Sequence, residues 1–436
     1  ALHAFRLVLP ERALAQARAA QTALRAGIDL GPLHGLPWVA KDLFDVKGLP
    51  TTAGTHLLEG AIAREDSTAV RRLEQAGMVL LGKTNTVQFA YGGVGINLDH
   101  GTPHNPWNAT PHVPGGSSSG TAVAVAAGLA PVGLGTDTGG SVRIPAALCG
   151  VTGLKTTVGR VSRAGVYPLS FSLDSVGVLA RSVEDAALVY QQMAGEDDAD
   201  ETTMGVLPED ALGELRAGVK GLRVAFVEAP FFDGADPDIA APVREAGRVF
   251  EKLGAHVGDI AFPEAVEAQK LNPRGGVISA EAYAVNRAFL ENHFDELDPV
   301  VRERMRKGGA VTGPDYFEMT RRWAALRRDV RRSLAAVDAL LVPTTMTPPL
   351  PTAPLAADLD EYLRRNVEYL RNTSIGNILG LCGLSVPCGF TRHGFPVGLM
   401  IYGKPFAERT ILRIGHAFQQ ATAWHEAIPD LSWATH

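Results

Sequence analysis

Cysteine is nearly absent from this chain. There are three in 436 residues, Cys149, Cys382 and Cys388. An odd number at such wide spacing excludes a disulfide framework, and no pair is spaced for zinc or for a CxxC redox couple. Buried free thiols in a reducing, cytoplasmic setting are the expectation. Long apolar runs are missing too. The most apolar window, Thr121 to Leu134, is rich in Ala and Gly and is broken by Pro131. It falls short of the roughly 18–20 residues that span a bilayer, so no membrane segment is expected. No signal-peptide pattern opens the sequence. An unbroken basic block is also lacking. Lys plus Arg number 41 against 47 Asp plus Glu, a net charge of −6, so nucleic acid is not an expected partner. The densest basic stretch, Arg321 to Arg332, is interrupted by Trp323, Ala324, Ala325, Leu326, Asp329 and Val330. It reads as a solvated helix face.

What is present is an ordinary globular mixture, 46% apolar and 20% charged, long enough for a large core. Helical patterns alternate with short apolar runs. Glu11 to Ala26, Thr68 to Ala76 and Glu408 to Gln420 read as helices. So does the segment opened by Asp236 as N-cap and Pro237, which sets Val243, Ala246, Val249, Phe250 and Leu253 on one face and stops at Gly254. Leu36 to Ala40, Val79 to Leu81, Leu222 to Val227, Ala255 to Ile260, Ala339 to Val342 and Leu399 to Tyr402 read as strands. Alternation of this kind predicts an α/β fold, a mixed twisted sheet covered by helices on both faces. The acidic run Glu196 to Glu201 reads as a solvated connection, and the proline-rich Pro343 to Pro354 as a loop. Neither is long enough to separate domains, and one domain over 1–436 is expected.

Glycine and serine concentrate between 115 and 141. Gly115-Gly116-Ser117-Ser118-Ser119-Gly120 precedes a small-residue helix, and Gly133-Leu134-Gly135-Thr136-Asp137-Thr138-Gly139-Gly140-Ser141 follows it. Such loops bring backbone N–H groups close to a ligand. Three readings compete. Nucleotide binding is disfavoured, because Gly133-x-Gly135-x-x-x-Gly139 misses GxGxxG and no GKS or GKT follows. An α/β-hydrolase elbow with Ser118 as nucleophile matches GxSxG, but Asn108 to Pro114 is not the strand that elbow requires. The third reading pairs two serines, one from each loop, with a lysine. Lys41 lies in the apolar run Gly35-Leu36-Pro37-Trp38-Val39-Ala40-Lys41-Asp42. Burial lowers the pKa of an amine, and a neutral lysine can act as a base. Taken alone, the segment is better read as a solvated Lys41–Asp42 pair.

Together these segments resemble the amidase signature family. That family carries G-L/I-P-x-x-x-K-D, GGSS-G/A-G and G-T-D-x-G-G-S-x-R-x-P, found here as Gly35 to Asp42, Gly115 to Gly120 and Gly135 to Pro145. Ser117 and Ser141 stand twenty-four residues apart, as in the family. Thr51 to Thr55, Gly82 to Asn85, Gly101 to Trp107, Gly150 to Lys155, Ser172-Leu173-Asp174, Val386 to Phe390 and Pro396 to Leu399 extend the resemblance over nearly the whole chain. The signature core covers approximately 30–190. Gln88, Ser119, Thr156 and Met400 depart from common family residues, all outside the key positions. Ala1-Leu2-His3-Ala4-Phe5 resembles an L-N-A-F run that members usually carry after a helical segment. The resemblance therefore implies that the native N-terminus is missing.

The resemblance implies a Ser–cis-Ser–Lys triad: Ser141 as nucleophile, Ser117 as the bridging serine after a cis peptide, and Lys41 as base. It implies an oxyanion hole from the N–H groups of Thr138, Gly139, Gly140 and Ser141. Asp137 and Arg143 would support the loop. Ser118 would hydrogen-bond Lys41, cap the following helix, or both. The acyl pocket would involve Tyr91, Gly92, Gly93 and Val94 and, later in the chain, Ile375 and Leu379. Gly92 and Gly93 would give either a roomy entrance or only a turn. No metal and no cofactor are implied. The function implied is hydrolysis of linear amides through an acyl-enzyme, with esters and aryl amides possible. Carbamate or urea hydrolysis on the same triad is the first alternative. The second is the A subunit of glutamyl-tRNA amidotransferase, although its Tyr-rich segment is not evident near Asp315-Tyr316-Phe317-Glu318-Met319. The partner expected is a small-molecule amide or carbamate, with a homodimer left open.

Overall fold

A computed structural model describes residues 2–271 and 276–434. Ala1 lies outside the described residues. Eleven strands form one mixed sheet: β1 (Phe5–Val8), β2 (Pro37–Lys41), β3 (Val79–Thr84), β4 (Val132–Asp137), β5 (Thr152–Lys155), β6 (Ser175–Ala180), β7 (Arg223–Phe226), β8 (His256–Asp259), β9 (Ala339–Pro343), β10 (Cys382–Phe390) and β11 (Pro396–Gly403). Their spatial order is β1-β3-β2-β4-β6-β5-β10-β11-β9-β7-β8. β2 runs parallel between β3 and β4, and β7 runs parallel between β8 and β9. The pairs from β4 through β6, β5, β10 and β11 to β9 are antiparallel. Every residue of β4, β6, β9 and β11 is buried. Both faces of the sheet are therefore covered, here by helices, thirteen among the described residues. The result is a single large α/β domain. None of the described helices is long and apolar enough to cross a membrane.

The helix opened by Asp236 spans Pro237–Lys252, and its N-cap carboxylate accepts from the Asp238 N–H at 2.9 Å. Val243, Ala246 and Phe250 are buried beneath it, with Val249 and Leu253 packed alongside. Gly254 takes the left-handed conformation at φ +84°. Strands β1, β4, β5, β6 and β10 are not evident in the residue pattern. In β4 the reason is close packing. A Cβ on Gly133 would lie 2.4 Å from Thr121 Cγ2, and one on Gly135 would lie 2.7 Å from Ser118 Oγ. The helix Ser119–Ala126 sits directly on this strand, and glycine replaces the β-branched residues that usually announce one.

Two expected loops are more ordered than their composition suggests. In the acidic run, Asp200 is buried and pairs with Arg163 at 3.2 Å, while Asp197 accepts from the Ser162 hydroxyl at 2.5 Å. Glu196, Asp198, Ala199 and Glu201 are exposed, so the run is a solvated connection tethered through Asp197 and Asp200. Pro343 ends β9, and Thr352–Ala357 is a short helix within the proline-rich segment. The basic stretch lies on the helix Gly313–Ser333, where exposed Arg321 and Arg322 pair with Glu318. Arg327 instead turns inward, donating to the Ile378 carbonyl at 2.8 Å. All three cysteines are buried and free.

Candidate active site

The site forms where parallel β2 and β4 end. Crevices beyond the carboxyl ends of parallel strands are the usual binding places of such sheets. Lys41 is the last residue of β2, and β4 ends at Asp137, leading into the 138–142 loop and the helix Arg143–Cys149. The Gly115–Ser118 segment leads into the helix Ser119–Ala126 beside them.

Lys41 is fully buried, and its Nζ donates to Ser117 Oγ at 2.8 Å and to Thr136 Oγ1 at 2.8 Å. Burial pulls its pKa down to about 7, against the opposing pull of the Asp174 and Asp137 carboxylates. The surface Lys41–Asp42 pair does not form. Asp42 is buried and pairs instead with buried Lys83 at 2.6 Å. The Gly116–Ser117 peptide is cis. A Cβ on Gly116 would lie 2.8 Å from the Gly92 carbonyl oxygen and 2.9 Å from Gly95 N, so glycine is required there. The Ser117 carbonyl accepts from Thr86 Oγ1 at 2.8 Å, and the Ser118 N–H donates to the Ser141 carbonyl at 3.1 Å. The second of these bonds ties the two serine-bearing loops together.

Asp137 and Arg143 form a buried two-point ion pair, Nη2 to Oδ1 at 2.8 Å and Nε to Oδ2 at 3.0 Å. Burial alone would raise the Asp137 pKa, but the guanidinium outweighs it and holds the carboxyl well below the usual carboxylate range. Asn377 and the Tyr402 hydroxyl complete the cage, accepting from Arg143 at 2.6 and 2.9 Å. Asp137 Oδ2 also accepts from the Val142 N–H at 3.1 Å, fixing the far end of the loop.

Within that loop, Thr138 Oγ1 donates to Asp174, whose carboxylate also accepts the Leu169 and Ser170 N–H groups. Burial still pushes the Asp174 pKa up. Gly140 takes φ +140°, and a Cβ there would fall 2.1 Å from Thr373 Oγ1. The N–H groups of Gly139, Gly140 and Ser141 have no acceptor among the described residues. The Ser141 side chain has no hydrogen-bond partner there either; the residue is 4% exposed and lines a cleft. That cleft has room for about 20 Å³ between Tyr91, Gly92, Leu169, Ile278, Arg304 and Leu370.

Several expected placements are corrected. Ser118 does not reach Lys41; its hydroxyl donates to the Thr136 carbonyl at 3.4 Å, and its side chain does not cap the helix. Thr136 holds the lysine instead, a partner that the Gly-rich loop pattern gives no reason to single out. Tyr91 and Gly92 do line the cleft. Val94, Ile375 and Leu379 are core residues, each at most 1% exposed. Gly92 and Gly93 do not open a roomy entrance. A Cβ on Gly92 would meet Val87 at 2.9 Å, and one on Gly93 would meet Leu370 at 3.0 Å. They permit close packing. Asp174 belongs to a recognised segment, but nothing in the sequence assigns it a role. Leu169, Ile278, Arg304 and Leu370 carry no local signal, being brought in by the fold from remote segments. Among the described residues, no cluster of His, Cys, Asp and Glu could hold a metal ion.

The chain is similar to known proteins along nearly all its length. A family model described as Amidase matches residues 1–412. The A subunit of the glutamyl-tRNA(Gln) amidotransferase of Roseiflexus sp. (strain RS-1) is 40% identical, with 99% of this chain and 91% of that protein covered. The 2-amino-5-chloromuconic acid deaminase of Comamonas testosteroni is 39% identical over 99% of this chain and 91% of its own length. Among solved structures, native peptide amidase from Stenotrophomonas maltophilia superposes with a TM-score of 0.81 at 32% identity, covering 97% of this chain and 89% of that one.

Proposed function

Because the chain belongs to the amidase signature family, we propose that it hydrolyses the linear C–N bond of a small-molecule amide through an acyl-enzyme on Ser141. The observation that carries this reading is the buried amine of Lys41, with a pKa of about 7 and 2.8 Å from Ser117 Oγ. A base needs a pKa close to its working pH, and this lysine has one.

In the proposed reaction, neutral Lys41 takes the Ser117 proton and Ser117 takes that of Ser141. Ser141 Oγ then bonds to the substrate carbonyl carbon. The two serine hydroxyls are not yet bonded to each other, and such contacts tighten in the substrate complex. The developing oxyanion accepts from the free N–H groups of Gly139, Gly140 and Ser141, with Thr138 at the edge of the hole. Each donor of this kind contributes about 3 kcal/mol to transition-state stabilisation. The C–N bond breaks, and the proton returns from Lys41 through Ser117 to the departing nitrogen. Water then attacks the acyl carbon by the same relay, releasing a carboxylic acid and restoring Ser141. Asp137 and Arg143 hold the loop and touch no reacting atom.

Esters and carbamates would fit the same machinery, since only the groups flanking the carbonyl differ. The 40% identity to the A subunit of an amidotransferase favours a second reading, in which this chain plays that part within an assembly. The test is hydrolysis by the purified chain alone. Amides, esters and carbamates are offered side by side, and released amine or alcohol is quantified. Turnover of amides without any partner supports the free-standing enzyme; turnover only after a partner is added supports the assembly.

A further inference from the structure

Glu281 is a buried carboxylate on the helix Gly276–Asn292, outside all the recognised motifs. No cation pairs with it among the described residues. Hydroxyls and one N–H converge on it instead. Ser170 and Ser172 donate through their hydroxyls, the Ser172 N–H donates at 3.2 Å, and the Tyr316 hydroxyl donates at 2.6 Å. Hydrogen bonds to a carboxylate are stronger than those between neutral groups, so this is a firm clasp. Phe171, between the two serines, is 63% exposed, and its ring gives the segment no apolar anchor here.

The clasp joins two walls of the Ser141 cleft. Leu169, in one wall, is next to Ser170, and Ile278, in another, lies three residues before Glu281 on the helix. Ser279 on the same turn meets the Tyr91 hydroxyl at 2.7 Å, and Tyr91 lines the cleft as well. The Asp174 bonds to the Leu169 and Ser170 N–H groups set the shape of the loop. The Glu281 bonds set its distance from the helix. The space left is about 20 Å³, little more than one water molecule needs. We propose that Glu281 is a positioning residue that fixes the width of the acyl cleft and so restricts the substrate to short acyl groups. The proposal rests on the hydrolase reading above and adds acyl-chain length to it. A second bond between the same segment and helix, the Tyr167 hydroxyl to Asn286 at 2.8 Å, lies further along the helix. It keeps the two joined when Glu281 is replaced, so the cleft widens while the helix stays docked.

The test compares the p-nitroanilides and p-nitrophenyl esters of acetic, butyric and hexanoic acids, which share a leaving group within each set. Wild type is expected to favour acetyl over hexanoyl by about tenfold or more in kcat/KM, the size of effect that added methylenes have in a tight pocket. Glu281→Ala is expected to narrow that preference about tenfold, mainly through a lower KM for hexanoyl, with the pH profile unchanged. Glu281→Gln keeps the side-chain length, and the hydroxyls can turn to accept from its amide, so most of the preference remains. Ser172→Ala removes one donor and moves the ratio the same way by less; it serves where Glu281→Ala folds poorly. The same preference is read without turnover, as protection of Ser141 from a fluorophosphonate by acetamide and by hexanamide. A merely structural role would slow all acyl lengths by one factor. That result, or a wild type indifferent to acyl length, would overturn the proposal, while labelling of Ser141 would leave the hydrolase reading intact. Absence of both label and turnover would overturn the hydrolase reading and this proposal with it.

Discussion

Lys41 is a fully buried amine whose hydrogen bonds go to two hydroxyls, not to a carboxylate. In water a lysine keeps its proton up to a pKa of about 10.4; burial brings this one to about 7. Two consequences follow with definite signs. If Lys41 is the base, kcat/KM rises about tenfold per pH unit below about 7 and levels off above it, as the neutral amine accumulates. A profile that falls with rising pH, or one abolished by replacing a histidine, would contradict the assignment. Stability runs on the same proton. From about pH 7 to about 10.4 the unfolded chain binds this proton and the folded chain does not, so the burial penalty is full below 7 and fades as pH rises. Lys41→Met removes the penalty. Its stability relative to wild type should therefore be more favourable at pH 7 than at pH 10, read by denaturant unfolding at both. An equal stability difference at the two pH values would mean that Lys41 keeps its proton in the fold.

The elements around that lysine explain how the loop of small residues keeps its shape. Asp137 ends β4, Arg143 begins the next helix, and their buried pair spans the loop like a strut. Arg143→Met would leave Asp137 charged and unpaired in the interior, a change worth about 3–5 kcal/mol. Thermal unfolding should show a drop in Tm of many degrees; a drop within a degree or two would mean that the loop is held by other contacts. At this scale the sequence is readable where chemistry and pattern coincide. The Asp236–Pro237 cap, the Gly254 stop and the positions of Lys41, Ser117 and Ser141 all stand in local strings of residues. β4 is not readable, because its glycines at 133 and 135 are dictated by the helix above it. Ser118 is misread from sequence, since adjacency to Ser117 says nothing about which side chain faces Lys41, and Thr136 occupies that place.

At the scale of the whole molecule, the strand order is beyond local reading. β5 and β10 are hydrogen-bonded neighbours that lie more than two hundred residues apart in sequence. The fold class is legible because alternating elements are a property of the chain as a whole. The acyl cleft is the opposite case. Its walls come from residues near 91, 139, 169, 278, 304 and 370, six segments that only the folded sheet and its helices bring together. No spacing rule connects them, and that is why Ile375 and Leu379 are expected in the cleft and are found in the core. The candidate catalytic residues are thus legible as motifs, whereas the residues that would select a substrate are legible only as geometry.

The measurement that tests the central claim most directly is covalent labelling with a fluorophosphonate, read by intact mass and peptide mapping, on wild type, Ser141→Ala and Ser118→Ala. With Ser141 as nucleophile, one adduct per chain is expected, on Ser141, retained in Ser118→Ala and lost in Ser141→Ala. An adduct on Ser118 that persists in Ser141→Ala would contradict it.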